Sequence, residues 1–441
     1  MKNTIKINKK INSFKKEIEV PGDKSISIRC VLLGSQAIGV TKIYNLLESE
    51  DVINSLKCIK KLGINYKKFR DFYKIYGLGL SGFNTDKKIL LDAGNSGTLA
   101  RLILGLLINS KNWIKIKGDK SLSKRDFKRI IDPLKLFGAN INSNKTGLPV
   151  NIVGSDYLRP IDYHEKLGSA QCKSAVMLAA LKTPGITKIK AKKSRNHTEL
   201  LYKNLNIPIK IKKKLNHDFI EVKGISNFKG FSYKIPGDIS SCSFFIVLAL
   251  LTQNSRLVIK NVNINSTRIG IIKILNKMNA KIKFINKRKY KGEIIADIIV
   301  NNRKELRGIN CPKNLNSSAI DEFLIIFLVA AKARGISKFK NLGELNKKES
   351  PRLDIGVNLL KKIGIKVLRY KENIIIHGDP KLELKGKYRI SNFRKDHRVF
   401  MTSCIAALSF GGEWIIEDKD SIKTSFPSFF KIIKKLGKRI N

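Results

Sequence analysis

Two hydrophobic rhythms run through this chain. Six segments, Ser27–Ala37, Thr98–Ile108, Ser169–Leu181, Ser240–Leu251, Asp321–Ala333 and His397–Phe410, are apolar or small on nearly every side of a helical projection, and each opens from a polar or glycine-containing turn. A helix without a polar face is a buried helix. Between these segments lie Ile/Val-rich stretches such as Thr41–Tyr44, Ile186–Lys190 and Arg256–Lys260, which predict strands. Amphipathic helical stretches come next, stopping at Leu62 Gly63, Phe137 Gly138, Met278 Asn279 and Ile363 Gly364, where glycine or asparagine ends a helix.

The six apolar segments start 71, 71, 71, 81 and 76 residues apart, a spacing too regular for unrelated elements. Each period therefore reads as one unit of strands, a buried helix and an outer helix, repeated six times. Three such units make a domain with helices at its centre and sheets around them, so the fold class is α/β (α+β) in two similar halves. A Gly-Asp-x-Ser turn recurs at Gly22–Ser25, Gly118–Ser121 and Gly237–Ser240. The first and third come directly after Pro21 and Pro236, which stiffen a chain passing between domains. The expected division is 1–22 with 237–441, and 23–236.

Length supports two cores, because 441 residues exceed the roughly 250–300 at which single cores stop growing. The net charge of +52 raises the question of nucleic acid or an acidic membrane surface. The lysines are spread over nearly every polar segment, however, with no arginine-rich tail, and Asn and Ile are abundant too, the mark of general compositional drift. Six scattered cysteines without a CxxC pair point to buried free thiols in a reducing compartment and to no structural zinc. The basic stretch 1–16 lacks the apolar core of a secretory signal, and the longest apolar runs fall short of the roughly 18 residues that span a bilayer. The expectation is a cytoplasmic protein that needs no membrane.

Candidate chemistry gathers where turns open into buried helices. Lys24, Ser25, Ser27 and Arg29 stand where unpaired N–H groups and the helix dipole favour a phosphate or carboxylate, although a merely capped helix accounts for them as well. The turn Gly94-Asn95-Ser96-Gly97-Thr98, leading to Arg101, repeats that logic without being a Walker loop. Ser169, Gln171 and Lys173 combine neutral donors with a cation, a mixture suited to hydroxyls beside a phosphate. Asp321 and Glu322 precede an apolar run, where a carboxylate is either a tuned proton acceptor or an N-cap. Lys347 to Arg352 form a dense charge cluster ahead of a helix, with Ser350 as the cap and Pro351 as the first helical residue. Asp396, His397 and Arg398 place another cation at the sixth buried helix.

Taken together and in order, Pro21–Arg29, Gly94–Arg101, Gly118–Arg125, Ser169–Lys173, Arg195–Glu199, Pro236–Ser241, Asp321–Glu322, Lys348–Arg352 and Asp396–Arg398 resemble the 5-enolpyruvylshikimate-3-phosphate synthase family along nearly the whole chain. The resemblance implies an inside-out fold of six βαβαββ units in two domains, with the active site in the cleft they form. It implies transfer of the enolpyruvyl group of phosphoenolpyruvate to the 5-hydroxyl of shikimate 3-phosphate, by addition and then elimination of phosphate. By motif match, Lys24, Ser25, Arg29, Ser169, Gln171, Arg195, Asp321 and Lys348 bind shikimate 3-phosphate. Lys24, Asn95, Gly97, Thr98, Arg125, Gln171, Lys348, Arg352 and Arg398 bind phosphoenolpyruvate, and Asp321, Glu349, Lys348 and Lys24 carry the catalysis. Gly97 retains the glycine whose replacement by alanine in some members narrows the phosphoenolpyruvate pocket.

The sequence departs from the family pattern at Pro351, where an aspartate is common, and near Lys423, which lies one position from a substrate-binding lysine of some members, Thr424 taking the aligned place. Two alternatives stand beside this reading. UDP-N-acetylglucosamine enolpyruvyl transferase shares the fold but carries a cysteine in a loop that here, near Gly118–Arg125, has none. A basic nucleic-acid-binding protein fits the net charge, yet no recognised binding module is present. The partners expected are therefore the two small-molecule substrates, with no cofactor, no metal, no specific nucleic acid, and a monomeric state.

Overall fold

The computed structural model describes residues 3–302 and 304–437, and it divides into two compact units. One comprises 1–21, 236–289 and 294–441, the other 22–235 with 290–293. The six apolar segments are helices: Lys24–Gln36, Gly97–Leu106 and Ala170–Leu181 in the second unit, and Ile239–Leu251, Phe323–Lys332 and His397–Phe410 in the first. Every residue of Ile239–Leu251 is buried. Each large apolar side chain so enclosed contributes about 1.5–3 kcal/mol, so a helix of this composition is stable only with neighbours on all sides. The amphipathic helices Glu50–Lys61, Lys128–Leu136 and Arg352–Lys362 end before Gly63, Gly138 and Gly364, all at positive φ, and Gly270–Lys277 ends before Asn279 at φ 69°.

Among the described residues, three sheets enclose the helices of each unit. In the second unit they run, in spatial order, Ser232–Lys234, Ile38–Tyr44, Phe72–Leu78, Tyr66–Lys68; Ile89–Asp92, Ile114–Lys117, Gly147–Val153, Asn140–Asn144; and Asp162–Glu165, Ile186–Lys192, His217–Lys223, Ile209–Lys213. The first pair of each is parallel and the others antiparallel. A parallel pair needs a long crossover, and in the second and third of these sheets the buried helix supplies it. Buried and exposed residues alternate along the strands, as sheets with one covered face require.

In two sheets the parallel partner comes from far along the chain. Lys15–Glu19 pairs with Arg256–Asn263, with Ile18 opposite Ile259, and Ser232–Lys234 pairs with Ile38–Tyr44. The strand that completes the first repeat of one unit is thus its last segment, and that of the other is near the N-terminus, which is why one unit is discontinuous. Among the described residues, two of the six sheets have three strands: Gly335–Phe339, Asn373–Gly378, Val367–Tyr370, and Ile5–Ile7, Gly411–Ile416, Leu384–Ile390. In the former, the stretch before the buried helix makes only isolated bridges at Arg307 and Asn310; Pro312, just beyond, has no N–H for a ladder.

The sequence expectation kept 237–441 in one piece, whereas Tyr290–Glu293 groups with 22–235. Tyr290 packs edge-on against Tyr233, and His197 Nδ1 lies 2.6 Å from Glu293 Oε1, contacts that no local pattern announces. All six cysteines are buried and free. Among the described residues no helix is long and apolar enough to cross a membrane.

Lys182 ends the helix Ala170–Leu181, with Nζ donating to Asn109 Oδ1 at 3.2 Å and lying 4.8 Å from the Phe83 ring centre. Burial depresses its ammonium to about 7 from an ordinary 10.5. Because the unfolded chain binds this proton more tightly, the penalty is fully present below about pH 7 and fades as pH rises towards 10.5. Lys182→Met should therefore raise stability at pH 6 by on the order of 1–3 kcal/mol and change it little near pH 10; thermal melts at the two pH values check this, and an equal shift at both would contradict it.

Candidate active site

In the unit containing 22–235, three helix N-termini carry polar side chains. Asp23 caps the first, accepting from Ile26 N at 2.9 Å, which sets Lys24 and Ser25 on the opening turn, both half-buried. Lys24 Nζ donates to the buried Asp51 Oδ2 at 2.8 Å. Arg29, one turn on, faces inward: Nε donates to Thr198 Oγ1 at 2.8 Å, Nη2 to Ser174 Oγ at 2.9 Å and Nη1 to Ser25 O at 2.9 Å. It ties the first buried helix to Ala170–Leu181 and to His197–Asn204, and its side chain is nearly all covered.

Ser96 caps the second helix through Leu99 N, and around this turn the expected residues meet. Asn95 Nδ2 donates to Asp119 Oδ2 at 2.6 Å, and its Oδ1 accepts from Arg125 Nη2 at 3.3 Å. Gln171 Nε2 donates to Thr98 Oγ1 at 2.9 Å, while its Oε1 accepts from Arg101 Nη1 at 2.9 Å. Gly97 sits between two guanidiniums: a Cβ there would lie 2.8 Å from Arg101 Nη1 and 3.0 Å from Arg125 Nη1. Burial, then the like charge of Arg125, lowers Arg101 to about 10. Ser169 caps the third helix through Cys172 N at 3.3 Å, its loop held by Glu165, which accepts from Gly168 N at 2.7 Å. Arg195 is half-buried between the strand Ile186–Lys192 and His197–Asn204.

The other unit gathers carboxylates and cations into one network. Asp321 Oδ1 lies 3.3 Å from Lys348 Nζ and 3.5 Å from Arg352 Nη1. Arg352 also donates through Nε to Asp396 Oδ2 at 2.8 Å, and through Nη2 to Glu349 and to Asp396 Oδ1. Arg398 Nη1 donates to Asp321 O at 2.8 Å and approaches Glu322 Oε1 at 3.5 Å. Glu322 accepts from Ser240 Oγ at 2.5 Å, and Ser240 accepts from Arg268 at 2.8 Å. Burial works against the charges of Arg352 and Asp396, but their attraction outweighs it: the guanidinium is pushed up and the Asp396 carboxyl held below the usual carboxylate range.

Several expectations are corrected here. Ser350 does not cap the helix Arg352–Lys362; its hydroxyl donates to Asp396 Oδ2 at 2.8 Å, and Pro351 takes the cap position instead of the first helical one. The first-turn N–H of Leu353 is instead satisfied by Asn346, whose Oδ1 accepts from it at 2.9 Å, an acceptor too distant in sequence for a capping motif to reveal. Lys173 does not join the polar start of its helix: it is fully buried with Nζ 2.6 Å from Glu199 Oε1, since its position points to the helix's inner side. Glu322 is drawn to Ser240 and Arg398 and makes no side-chain cap bond. Arg352 meets three carboxylates without any contribution from position 351, so proline there leaves the charge cluster intact.

Sequence reasoning left Asp51, Ser174, Thr198, Arg268 and Asp396 out of the candidate set. Asp396 and Thr198 lie inside stretches that carry the resemblance, Asp396–Arg398 and Arg195–Glu199, without being given a role; the others are ordinary polar residues until the fold brings them to Lys24, Arg29 and Ser240.

Asp396→Asn would leave Arg352 buried with less counter-charge, a loss of about 3 kcal/mol or more. Because the Asp396 carboxyl is depressed in the folded state, its stabilisation is present above pH ~4 and lost as pH falls below that. Urea melts should show the wild type losing this advantage over the variant in acid; a gap that does not narrow would contradict the pairing.

A family model described as EPSP synthase (3-phosphoshikimate 1-carboxyvinyltransferase) matches residues 8–433. The chain is 40% identical over 440 residues to the 3-phosphoshikimate 1-carboxyvinyltransferase of Ruthia magnifica, covering 98% of each, and 38% identical to that of Bacillus cytotoxicus over 416 residues, 94% of this chain and 96% of the relative. Among solved structures, an EPSP synthase from Acinetobacter baumannii superimposes with a TM-score of 0.87 at 34% identity, covering 100% of this chain and 99% of that one.

Proposed function

The chain belongs to the EPSP synthase family, and from that premise we propose how its residues divide the work of the family's reaction. It carries the enolpyruvyl transfer of the shikimate pathway, from phosphoenolpyruvate to shikimate 3-phosphate. Lys24, Ser25, Arg29, Ser169, Gln171 and Arg195 hold shikimate 3-phosphate, with Asp321 and Lys348 at its reacting hydroxyl. Lys24, Arg125, Lys348, Arg352 and Arg398, with Asn95, Gly97, Thr98 and Gln171, take phosphoenolpyruvate.

In the addition, the 5-hydroxyl oxygen bonds to C2 of phosphoenolpyruvate while Asp321 accepts the hydroxyl proton and C3 gains one. In the elimination, C3 gives up a proton, the bond from C2 to the phosphate oxygen breaks, and inorganic phosphate leaves. Glu349 and Lys348 deliver and remove the proton at C3. Proton transfer of this kind is worth roughly 10²–10⁴-fold, and the fixed guanidiniums stabilise the developing phosphate charge without reorganising.

The observation that carries this reading is the chain of contacts linking Lys348 to Asp321 at 3.3 Å, Asp321 to Arg352 at 3.5 Å and Arg352 to Glu349 at 2.5 Å. A base, a proton carrier and anion-binding cations are thereby held together in one unit. Lys24 waits on Asp51 in the other, a counter-ion that an anionic substrate can replace. We place the enzyme in the cytoplasm, a reading supported by six buried free thiols, and take it to act as a monomer.

Phosphate release from the two substrates should be robust in the wild type and fall at least about 10²-fold in Lys24→Met and in Asp321→Ala. No turnover by the folded wild type would overturn the reaction, and undiminished turnover in the variants would overturn these roles. Gly97→Ala should raise KM for phosphoenolpyruvate severalfold with a smaller change for shikimate 3-phosphate, since its methyl crowds Arg125; steady-state kinetics with each substrate varied read this out.

A further inference from the structure

The strands Asp162–Glu165, Ile186–Lys192, His217–Lys223 and Ile209–Lys213 form a sheet whose inner face packs Ile189, Ala191, Ile220 and Val222 into the core. Its outer face is open. Strand register places His164, Lys190, Phe219 and Lys212 side by side in one row across all four strands, and Lys192 beside His217 in the next. The row on the other side, Asp162, Lys188, Glu221 and Lys210, carries acids and bases in equal number, so its charge is balanced. Phe219, in the middle of the first row, is 40% exposed, a large apolar ring open to solvent. Lys190 Nζ lies 5.9 Å from its centre, and the two imidazoles stand 5.8 Å apart.

Compositional drift alone would load all the sheets alike and leave their lysines to find neighbouring acids. On other strands some do: Lys117 pairs with Asp92 at 3.1 Å and Lys260 with Asp297 at 3.1 Å, while Lys42, Lys74 and Lys67 share a row without a carboxylate partner among the described residues. Among the described residues, Lys190, Lys192 and Lys212 have no carboxylate partner. Uncompensated cations at the strand spacing of about 4.8 Å and its multiples repel one another, so the face is electrostatically unfavourable until an anion covers it. The proposed catalytic groups use none of these residues.

We propose that this outer sheet face binds single-stranded nucleic acid, with Lys190, Lys192 and Lys212 on backbone phosphates and a base stacked on Phe219. A flat four-stranded sheet bearing an exposed ring among cations matches what single strands require, because every base has a π-face and every linkage a charge. A small dianion needs no exposed ring. A lipid surface favours a cluster of insertable apolar side chains, whereas here the exposed Ile186 stands two rows away and Leu215 lies in the hairpin turn, so Phe219 is the one ring among the cations of this row. The inference departs from the sequence expectation of no specific nucleic-acid partner, which rested on the even spread of lysine along the chain; register, not spacing, concentrates them here.

Fluorescence anisotropy of the full chain with a short labelled single-stranded RNA tests this. Phe219→Ala, which changes no charge, should weaken binding about tenfold. Lys190→Gln with Lys212→Gln should weaken it at least as much and reduce the slope of log affinity against log salt by roughly 1.4, the loss of two phosphate contacts. Lys115→Gln with Lys281→Gln, which removes the same charge from other sheets, should stay within about twofold. Phosphate release by each variant verifies that the fold is intact. Equal weakening in both lysine pairs with an unchanged Phe219→Ala would reduce the effect to diffuse charge and overturn the proposal. So would equally tight binding of heparin or anionic phospholipid vesicles with the same dependence on Phe219.

Discussion

Helices without a polar face can exist in water only if something covers every side of them, and that requirement organises this molecule. Each buried helix meets two others and the inner faces of sheets, so three repeats close around a common centre while the sheets turn their second faces outward. Besides the outer faces of the amphipathic helices, the arrangement leaves polar side chains two settings, the ends of the buried helices and the outer sheet surfaces. Both matter for function, and each is a consequence of the same burial.

At the helix ends, unpaired N–H groups and capping acids hold charged side chains that would otherwise fold back into solvent. Asp23, Ser96, Ser169, Asp238 and Asp396 each accept from a backbone N–H within the next turn. The side chains just past these caps are polar for a reason other than helix stability. Arg29 and Arg352 are the two extremes: one is pinned by hydroxyls and a carbonyl, the other by carboxylates, and both are more anchored than a mobile surface cation. A buried guanidinium whose donors are fixed costs little entropy when an anion arrives, which is the physical content of a preorganised site.

On the outer surfaces the constraint is weaker, and composition shows through. Lysine is abundant on every sheet, but its electrostatic consequence differs with the neighbours that strand register supplies. Where register brings Asp92 or Asp297 alongside, charge is neutralised; where it brings Phe219 and His217, it is left standing. The same excess of lysine thus yields paired charge on some faces and unpaired rows on others, of which the row with Phe219 also carries an exposed ring.

The sequence by itself determined the number of repeats, the buried helices, most helix stops and the clusters of charge at helix starts, because these depend on side-chain periodicity and on turns a few residues long. It also carried the family, through motifs whose order is readable without coordinates. Tertiary structure alone decided the partners: Asp51 for Lys24, Thr198 and Ser174 for Arg29, Asp396 for Arg352 and Ser350, Asn346 for the first-turn N–H of Leu353. It likewise decided that Lys173 turns inward, that 290–293 leaves its neighbours in sequence, and that Lys190 and Lys212 flank one phenyl ring. Those pairings join residues tens to hundreds of positions apart, and no local periodicity encodes which strands and helices become neighbours; that is fixed only when whole apolar faces are buried against one another.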